Sequence, residues 1–331
     1  MREKTVLIVT DNLPDQINGV VTTYKNIEAC ALLDGYKFVY VDPGRFRYID
    51  CPKYHEVKIA YPRGMGKIFK EINPDHIHIA TEGPLGLYGG RCASLAGRRY
   101  NTAYHTRFPE GLKKIIGIPE WITWKYVKWF HKHAGKVLTT TDTMVRELKA
   151  KGFEGEVLSW TRGVDREIFK PELRTKDNGM LTLVCVSRVS KEKNLEKFFE
   201  LDYPTARKIM VGDGPMREEY QKRYPDVEFV GFKTGTELAT YYANADVFVF
   251  PSIWETFGIV MIEAMACGTP VAAYPAPGPL DVVDEGVTGC LDDNLEAAVA
   301  KCLKLDRKDV ILGSQRWSWQ RAWEIFKENL V

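Results

Sequence analysis

The sequence lacks long hydrophobic runs, paired cysteines and a dominant charge, and each absence removes a class of protein. No apolar stretch reaches 18 residues, so no membrane-spanning helix is expected. The short apolar run in the opening MREKTVLIVTDNLP is cut by Asp11, so a secretory leader is not expected either. The 7 cysteines (Cys30, Cys51, Cys92, Cys185, Cys267, Cys290 and Cys302) are odd in number, scattered and never in a CxxC. They read as reduced thiols rather than a disulfide frame or a zinc site, and no metal site is assigned. A net charge of only +2 over 331 residues gives no bulk attraction to nucleic acid, and no nucleic-acid partner is expected. With 45% hydrophobic and 27% charged residues the chain is globular, of a length that suits about two domains, and a cytoplasmic location is expected.

What is present is concentrated in residues 245–274, ADVFVFPSIWETFGIVMIEAMACGTPVAAY. The pattern predicts a strand at 247–250, a loop carrying Glu255, a helix opening near Phe257, a stop at Gly268 and a second strand from Val271. Glu255 and Glu263 stand eight positions apart, ~12 Å if helical rise holds throughout. Between them Phe257, Gly258 and Ile259 would offer helix N-terminal N–H groups, a seat for a phosphate. Two carboxylates flanking an anion seat suit a ligand with hydroxyls at both ends of a diphosphate, the shape of a nucleotide sugar. An E-x7-E spacing alone is common by chance, and the bland alternative is a solvated loop acid and a surface helix acid.

The strand, Pro-Ser, x3-FG, helix, CGTPV surroundings resemble the E-x7-E signature of the retaining glycosyltransferases of GT-B fold, most like glycosyltransferase family 4. The resemblance implies an α/β chain of two Rossmann-like domains facing across a cleft. It gives Glu255 to the hydroxyls of the donor sugar and Glu263 to the ribose. No Asp-x-Asp pair occurs, which argues against the metal-bridged phosphates of the other main glycosyltransferase fold. No cofactor or essential metal is expected.

The rest of the chain alternates strand and helix signals. The β-branched run at 5–9 suits a buried parallel strand. It leads through DNLPDQIN to Gly19 and a helix at 20–33, a layout that can hold a phosphate, although one glycine is weak evidence. By the resemblance Gly19 lets the backbone approach the donor diphosphate. Tyr104-His105-Thr106-Arg107-Phe108-Pro109 puts a histidine at the carboxyl end of a strand, where open α/β sheets place ligands. By likeness to YHT-x-F motifs His105 contacts the donor sugar, and Glu82 and Arg107 lie near the acceptor. Arg162-Gly163-Val164-Asp165 resembles the element joining the two halves of family 4 enzymes, in a polar segment that ends at Asp177-Asn178-Gly179. Arg188 and Lys193, five positions apart after a strand at 181–186, can both reach one diphosphate. They match the family's R-x4-K pair. By the resemblance Gly212, in a tight turn, and the Gly231-Phe232 pair line the nucleobase pocket; otherwise they are turns between layers.

From Glu120 a helix is predicted with Lys125, Lys128 and Lys132 on one stripe, Trp121 and Trp124 beside them, and Ile122, Tyr126, Trp129 and Phe130 on another, apolar face that an ordinary domain helix would turn to the core. A basic amphipathic helix edged by Trp suits an anionic bilayer surface, and peripheral membrane contact is one expectation. An ordinary domain helix with a solvated lysine face is the other.

The expectation is therefore an acceptor-side domain at 1–170, with a final helix at 315–331 returning to it, and a donor domain at 171–314. The expected enzyme is a retaining α-glycosyltransferase that moves a hexose from a GDP or UDP sugar to an acceptor hydroxyl on a glycan or lipid. The YHTRFPE and PGP-x-DV likenesses incline the donor to GDP-mannose. The alternatives are a nucleotide-sugar epimerase or hydrolase of the same fold, and a non-catalytic nucleotide- or carbohydrate-binding protein.

Overall fold

A computed structural model describes residues 2–16, 18–51, 54–175 and 179–331, and side chains other than those of 54–57, 108 and 114–116. Asp177 and Asn178 of the expected linker turn lie outside the described residues. The chain forms two compact units, residues 1–162 with 319–331 and residues 163–318.

The first unit holds β1 (Lys4–Val9), α1 (Gly19–Leu33), β2 (Tyr36–Val41), β3 (Arg47–Cys51), β4 (Tyr54–Tyr61), α2 (Met65–Ile72), β5 (His76–Ile79) and α3 (Pro84–Leu95). It continues with β6 (Asn101–Tyr104), α4 (Phe108–Ile116), α5 (Glu120–His131), β7 (Val137–Thr139), α6 (Asp142–Ala150) and β8 (Val157–Ser159). The second holds β9 (Thr182–Val186), α7 (Glu196–Phe199), β10 (Arg207–Val211), α8 (Arg217–Arg223), β11 (Val227–Gly231), α9 (Gly235–Asn244) and β12 (Val247–Phe250). After these come α10 (Ile259–Ala266), β13 (Val271–Ala273), α11 (Pro279–Val282), β14 (Gly289–Leu291), α12 (Leu295–Cys302) and α13 (Arg307–Ser314). The chain then returns to the first unit as α14 (Trp319–Glu328).

Each unit is built on a six-stranded sheet, β2-β1-β5-β6-β7-β8 and β11-β10-β9-β12-β13-β14, parallel throughout. Such sheets need helices on both faces, which explains the unbroken apolar runs. Val6, Leu7, Ile8 and Val9 in β1, and Val247, Phe248 and Val249 in β12, have no exposed surface. Each such side chain contributes roughly 1.5–3 kcal/mol through burial. On one face of the first sheet Tyr24 and Ile27 of α1 pack with Trp160 and with Trp323 and Phe326 of α14.

Chain order reverses between β1 and β5 in the first sheet and between β9 and β12 in the second. Loops leaving the carboxyl ends of neighbouring strands diverge there and open a crevice, the usual ligand position in such sheets.

Several elements were not legible. The strand β3, which pairs antiparallel with β4, the short β14 and α13 gave no clear periodic signal. The expected faces of α5 are corrected. Its buried stripe is Thr123, Trp124, Val127, Phe130 and His131, displaced from the expected face by about one residue, ~100° of rotation. Trp124 therefore stacks against Tyr104, with ring centroids 6.1 Å apart, instead of flanking the lysines. Ile122 and Trp129, expected inside, are 43% and 54% exposed.

Candidate active site

At the reversal point of the second sheet, the loop after β9 carries Arg188 and Lys193 and the neighbouring loop after β12 carries Glu255. Lys193 Nζ donates to Glu255 Oε1 in a close ion pair. Asn194 ties the same two loops by donating from Nδ2 to the Pro251 carbonyl at 3.1 Å. Arg188 donates from Nη2 to Glu192 Oε1 at 2.8 Å, and Ser190 Oγ donates to the same oxygen at 2.7 Å. Burial opposes ionisation of Glu192, but the bonds from Ser190 and the backbone, with the Arg188 charge, hold its carboxyl below the usual range.

Gly212 is required by close approach: it has φ +137°, and a Cβ would stand 1.9 Å from the Ser187 carbonyl oxygen. The turn after β10 is thereby pressed against the Arg188 loop, and the Gly212 N–H donates to the Gly231 carbonyl at 2.9 Å, joining it to Phe232. Phe232 is 48% exposed, open to stack with a flat ligand.

Helix α10 starts at Ile259, two residues later than expected, with Gly258 at its N-cap in the left-handed region (φ +87°). The ~12 Å estimate therefore does not carry over, since half of the eight steps from Glu255 to Glu263 precede the helix. Gly258 has no side chain to spend on the helix's first N–H groups. Phe257 is buried edge-on against Trp317. The loop after β13 abuts this segment, with the Gly278 Cβ position 3.0 Å from the Phe257 carbonyl oxygen and 3.5 Å from Glu255 Cβ. Inside α10, Glu263 accepts from the Tyr242 hydroxyl at 3.1 Å, and burial, only partly offset by that bond, raises its carboxyl to about 7.

In the first unit His105 follows β6 and is buried. Its Nδ1 lies 2.9 Å from Arg162 Nη2 and its Nε2 3.1 Å from the Tyr24 hydroxyl, which is 2.7 Å from His78 Nε2. Glu82, at the reversal point after β5, is also buried, with Oε1 3.5 Å from His131 Nε2. Arg107 donates to Glu147 of α6. Gly19 opens α1, but the Asn18 side chain accepts from the N–H groups of Val20 and Val21 at 3.0 Å each and so occupies the anion seat there. Asp11 likewise accepts from Leu85 N at 2.8 Å and Gly86 N at 3.4 Å and caps α3.

The structure thus brings Lys193 together with Glu255, and Gly212 together with the Gly231-Phe232 pair. Glu82 and Arg107 sit apart, Glu82 beside His131 and Arg107 paired with Glu147. Tyr24, Arg162, Glu192 and Tyr242 were missed. Arg162 was read only as part of a linker, and a partner to a histidine is not visible from sequence spacing.

These features define a GT-B glycosyltransferase. Residues 7–168 match the model of Glycosyltransferase Family 4 and residues 165–311 that of Glycosyl transferases group 1. A GDP-mannose-dependent alpha-mannosyltransferase of Mycolicibacterium smegmatis is 30% identical over 296 residues, 85% of this chain and 78% of the relative. One of the same description from Corynebacterium glutamicum is 28% identical over 370 residues, covering 100% and 88%. The sulfoquinovosyl transferase of Arabidopsis thaliana is 31% identical over 311 residues, covering 83% and 60%. Among solved structures, a sucrose-phosphate synthase from Thermosynechococcus elongatus superimposes with a TM-score of 0.80 at 19% identity over 98% of both chains. The chain belongs to glycosyltransferase family 4.

Proposed function

We propose that the enzyme transfers mannose from GDP-mannose, with retention at the anomeric carbon, to a hydroxyl of a glycan or lipid-linked acceptor. The observation that carries this reading is the joining of the Arg188-Lys193 loop to the Glu255 loop at the sheet's reversal point. That arrangement concentrates fixed cations beside a carboxylate where an anionic ligand with hydroxyls would lie. The relatives described as GDP-mannose-dependent favour guanine and mannose over UDP sugars. In this reading the bond between the sugar's anomeric carbon and the diphosphate oxygen breaks, and the acceptor oxygen bonds to that carbon on the same face. The acceptor proton passes to an oxygen of the leaving diphosphate. Arg188, Lys193 and the first N–H groups of α10 stabilise the charge that develops there, in place of a metal ion.

Glu255 serves the sugar hydroxyls and Glu263 the ribose, Gly212 and Phe232 border the base, and His105 serves the transferred sugar. Glu82 and Arg107 belong to the acceptor side, and Lys125, Lys128 and Lys132 of α5 to an anionic membrane surface. The test is release of GDP from GDP-mannose in EDTA, with and without an added mannosylated or lipid acceptor. Turnover that needs UDP sugar, or that stops in EDTA and returns with magnesium, overturns the reading. Acceptor-independent turnover as fast as transfer would favour an epimerase or hydrolase.

A further inference from the structure

Arg162 is buried, 3% exposed, and none of its three recorded partners is an acid. Nη1 donates to the carbonyls of Trp160 at 2.6 Å and Thr161 at 2.9 Å, and the guanidinium lies over the Trp160 ring, 4.5 Å from its centroid. Nη2 reaches His105 Nδ1 at 2.9 Å. A guanidinium has donors only, so His105 Nδ1 must accept. The neutral ring then carries its proton on Nε2 and donates it to the Tyr24 oxygen at 3.1 Å. The Tyr24 hydroxyl proton goes to His78 Nε2 at 2.7 Å. One arginine therefore fixes the direction of three successive hydrogen bonds.

We propose that Arg162 is a positioning residue that locks His105 as a neutral, Nε2-protonated ring of fixed orientation. This rests on the reading of His105 as a contact to the transferred sugar. Among the described residues, Arg162, Tyr24 of α1, His78 of β5 and the Trp160 ring stand about the imidazole, and all are buried. Burial, then the Arg162 charge, then His78 hold the His105 ring well below the ordinary histidine range. With both nitrogens engaged inside the unit, the neutral ring presents its carbon edge to a sugar in one orientation across the working pH range. A charged or flipping ring would not.

The test is histidine-detected 15N NMR of the full chain together with steady-state GDP release from GDP-mannose, for wild type, Arg162→Met and Arg162→Lys. Wild type is expected to show His105 Nδ1 unprotonated and no titration between pH 5 and 8. Methionine keeps the buried stem but removes the donor. Burial still keeps the ring neutral, but Nδ1 should then become partly or wholly protonated, and kcat should fall at least tenfold, with KM for the donor changed less than threefold. Lysine keeps the charge and a donor on a stem one bond shorter, so it should restore the tautomer and most of kcat. A protonated Nδ1 in wild type, or an unchanged ring and kcat in Arg162→Met, overturns the proposal. So does a folded Arg162→Lys with the defect of the methionine variant. Normal turnover by His105→Ala would sink the sugar-contact reading alone, since the NMR arm judges the tautomer separately.

Discussion

The two units solve the same local problem in opposite ways. Both end buried parallel strands in polar loops. In the first unit the loop groups satisfy one another: His105 is held by Arg162 and Tyr24, and the N-termini of α1 and α3 are capped by Asn18 and Asp11. In the second unit α10 opens on a bare glycine, and Lys193 and Arg188, with side chains 26% and 34% exposed, are paired with acids that an incoming anion can replace. Anions bind where donors are accessible and lightly compensated. On the proposed reading the diphosphate therefore belongs to the second unit, and the first unit's capped helix ends leave it no such seat.

The comparison breaks first at the cations. Arg188→Ala and Lys193→Ala should each lower kcat by ~100-fold or more with the fold intact, the scale of losing one charged donor to a transition state. Steady-state GDP release together with a thermal melt checks this. Near-normal turnover by either variant removes that residue from the chemistry and leaves its ion pair a surface feature.

Glu263 sharpens the contrast because it is the acid of the second unit that burial penalises. Its folded value of about 7 lies above its ordinary 4.5, so the folded state holds an extra proton in between. A raised value means stability is full below 4.5 and lost as pH rises through 7, up to ~3 kcal/mol. Glu263→Gln should therefore stabilise the unliganded enzyme at pH 8 while weakening GDP binding about tenfold, the scale of one charged hydrogen bond. Calorimetric titration of GDP and urea unfolding at pH 8 measure the two effects. Unchanged GDP affinity removes the ribose role, and unchanged or lower stability removes the burial argument.

The first unit should show the opposite pH dependence. Burial lowers His78 to about 3, and burial with Arg162 lowers His105 well below its usual value. Depressed values mean stability is full above the ordinary 6.5 and lost as pH falls. At pH 5 the His78 ring costs ~2 kcal/mol relative to pH 7, and His105 adds a cost of the same sign. Urea unfolding of Glu263→Gln at pH 7 and 5 isolates this side, with the two histidine resonances followed in parallel. Stability that holds at pH 5, or rings that titrate near 6.5, contradicts the buried neutral chain.

Legibility followed the same division. In the second unit the elements that carry Glu255, Glu263, Arg188 and Lys193 were readable, because a strand–loop–helix pattern needs only local periodicity, while the roles expected of these residues came from the family resemblance. That Lys193 meets Glu255, 62 positions away, depends on strand order. Strand order is set by packing rather than by local sequence. Arg162 and Tyr24 could not be matched to His105 for the same reason. The faces of α5 were misread because the helix is rich in large apolar residues all round, so periodicity alone did not say which tryptophan would find Tyr104.

That correction bears on the smallest expected effect. On α5 the exposed aromatics are Trp121 and Trp129, with Lys125 Nζ 4.9 Å from the Trp121 ring centroid and Lys132 also exposed, while Lys128 is half-buried. A bilayer surface would meet Trp121, Ile122 and Trp129 beside Lys125 and Lys132, with the half-buried Lys128 at the edge. Trp124 would contribute nothing because it is inside. Each lysine near an anionic leaflet adds ~1 kcal/mol at low salt, enough with two interfacial aromatics for transient docking. Co-sedimentation with phosphatidylglycerol vesicles at low salt should therefore exceed that with phosphatidylcholine and be lost in Lys125→Glu/Lys128→Glu/Lys132→Glu. Trp121→Ala/Trp129→Ala should weaken it without unfolding the chain, because neither ring supports the core. If wild type stays in the supernatant, or the charge-reversed variant sediments equally well, α5 is a solvated domain helix and a water-soluble acceptor fits the enzyme better.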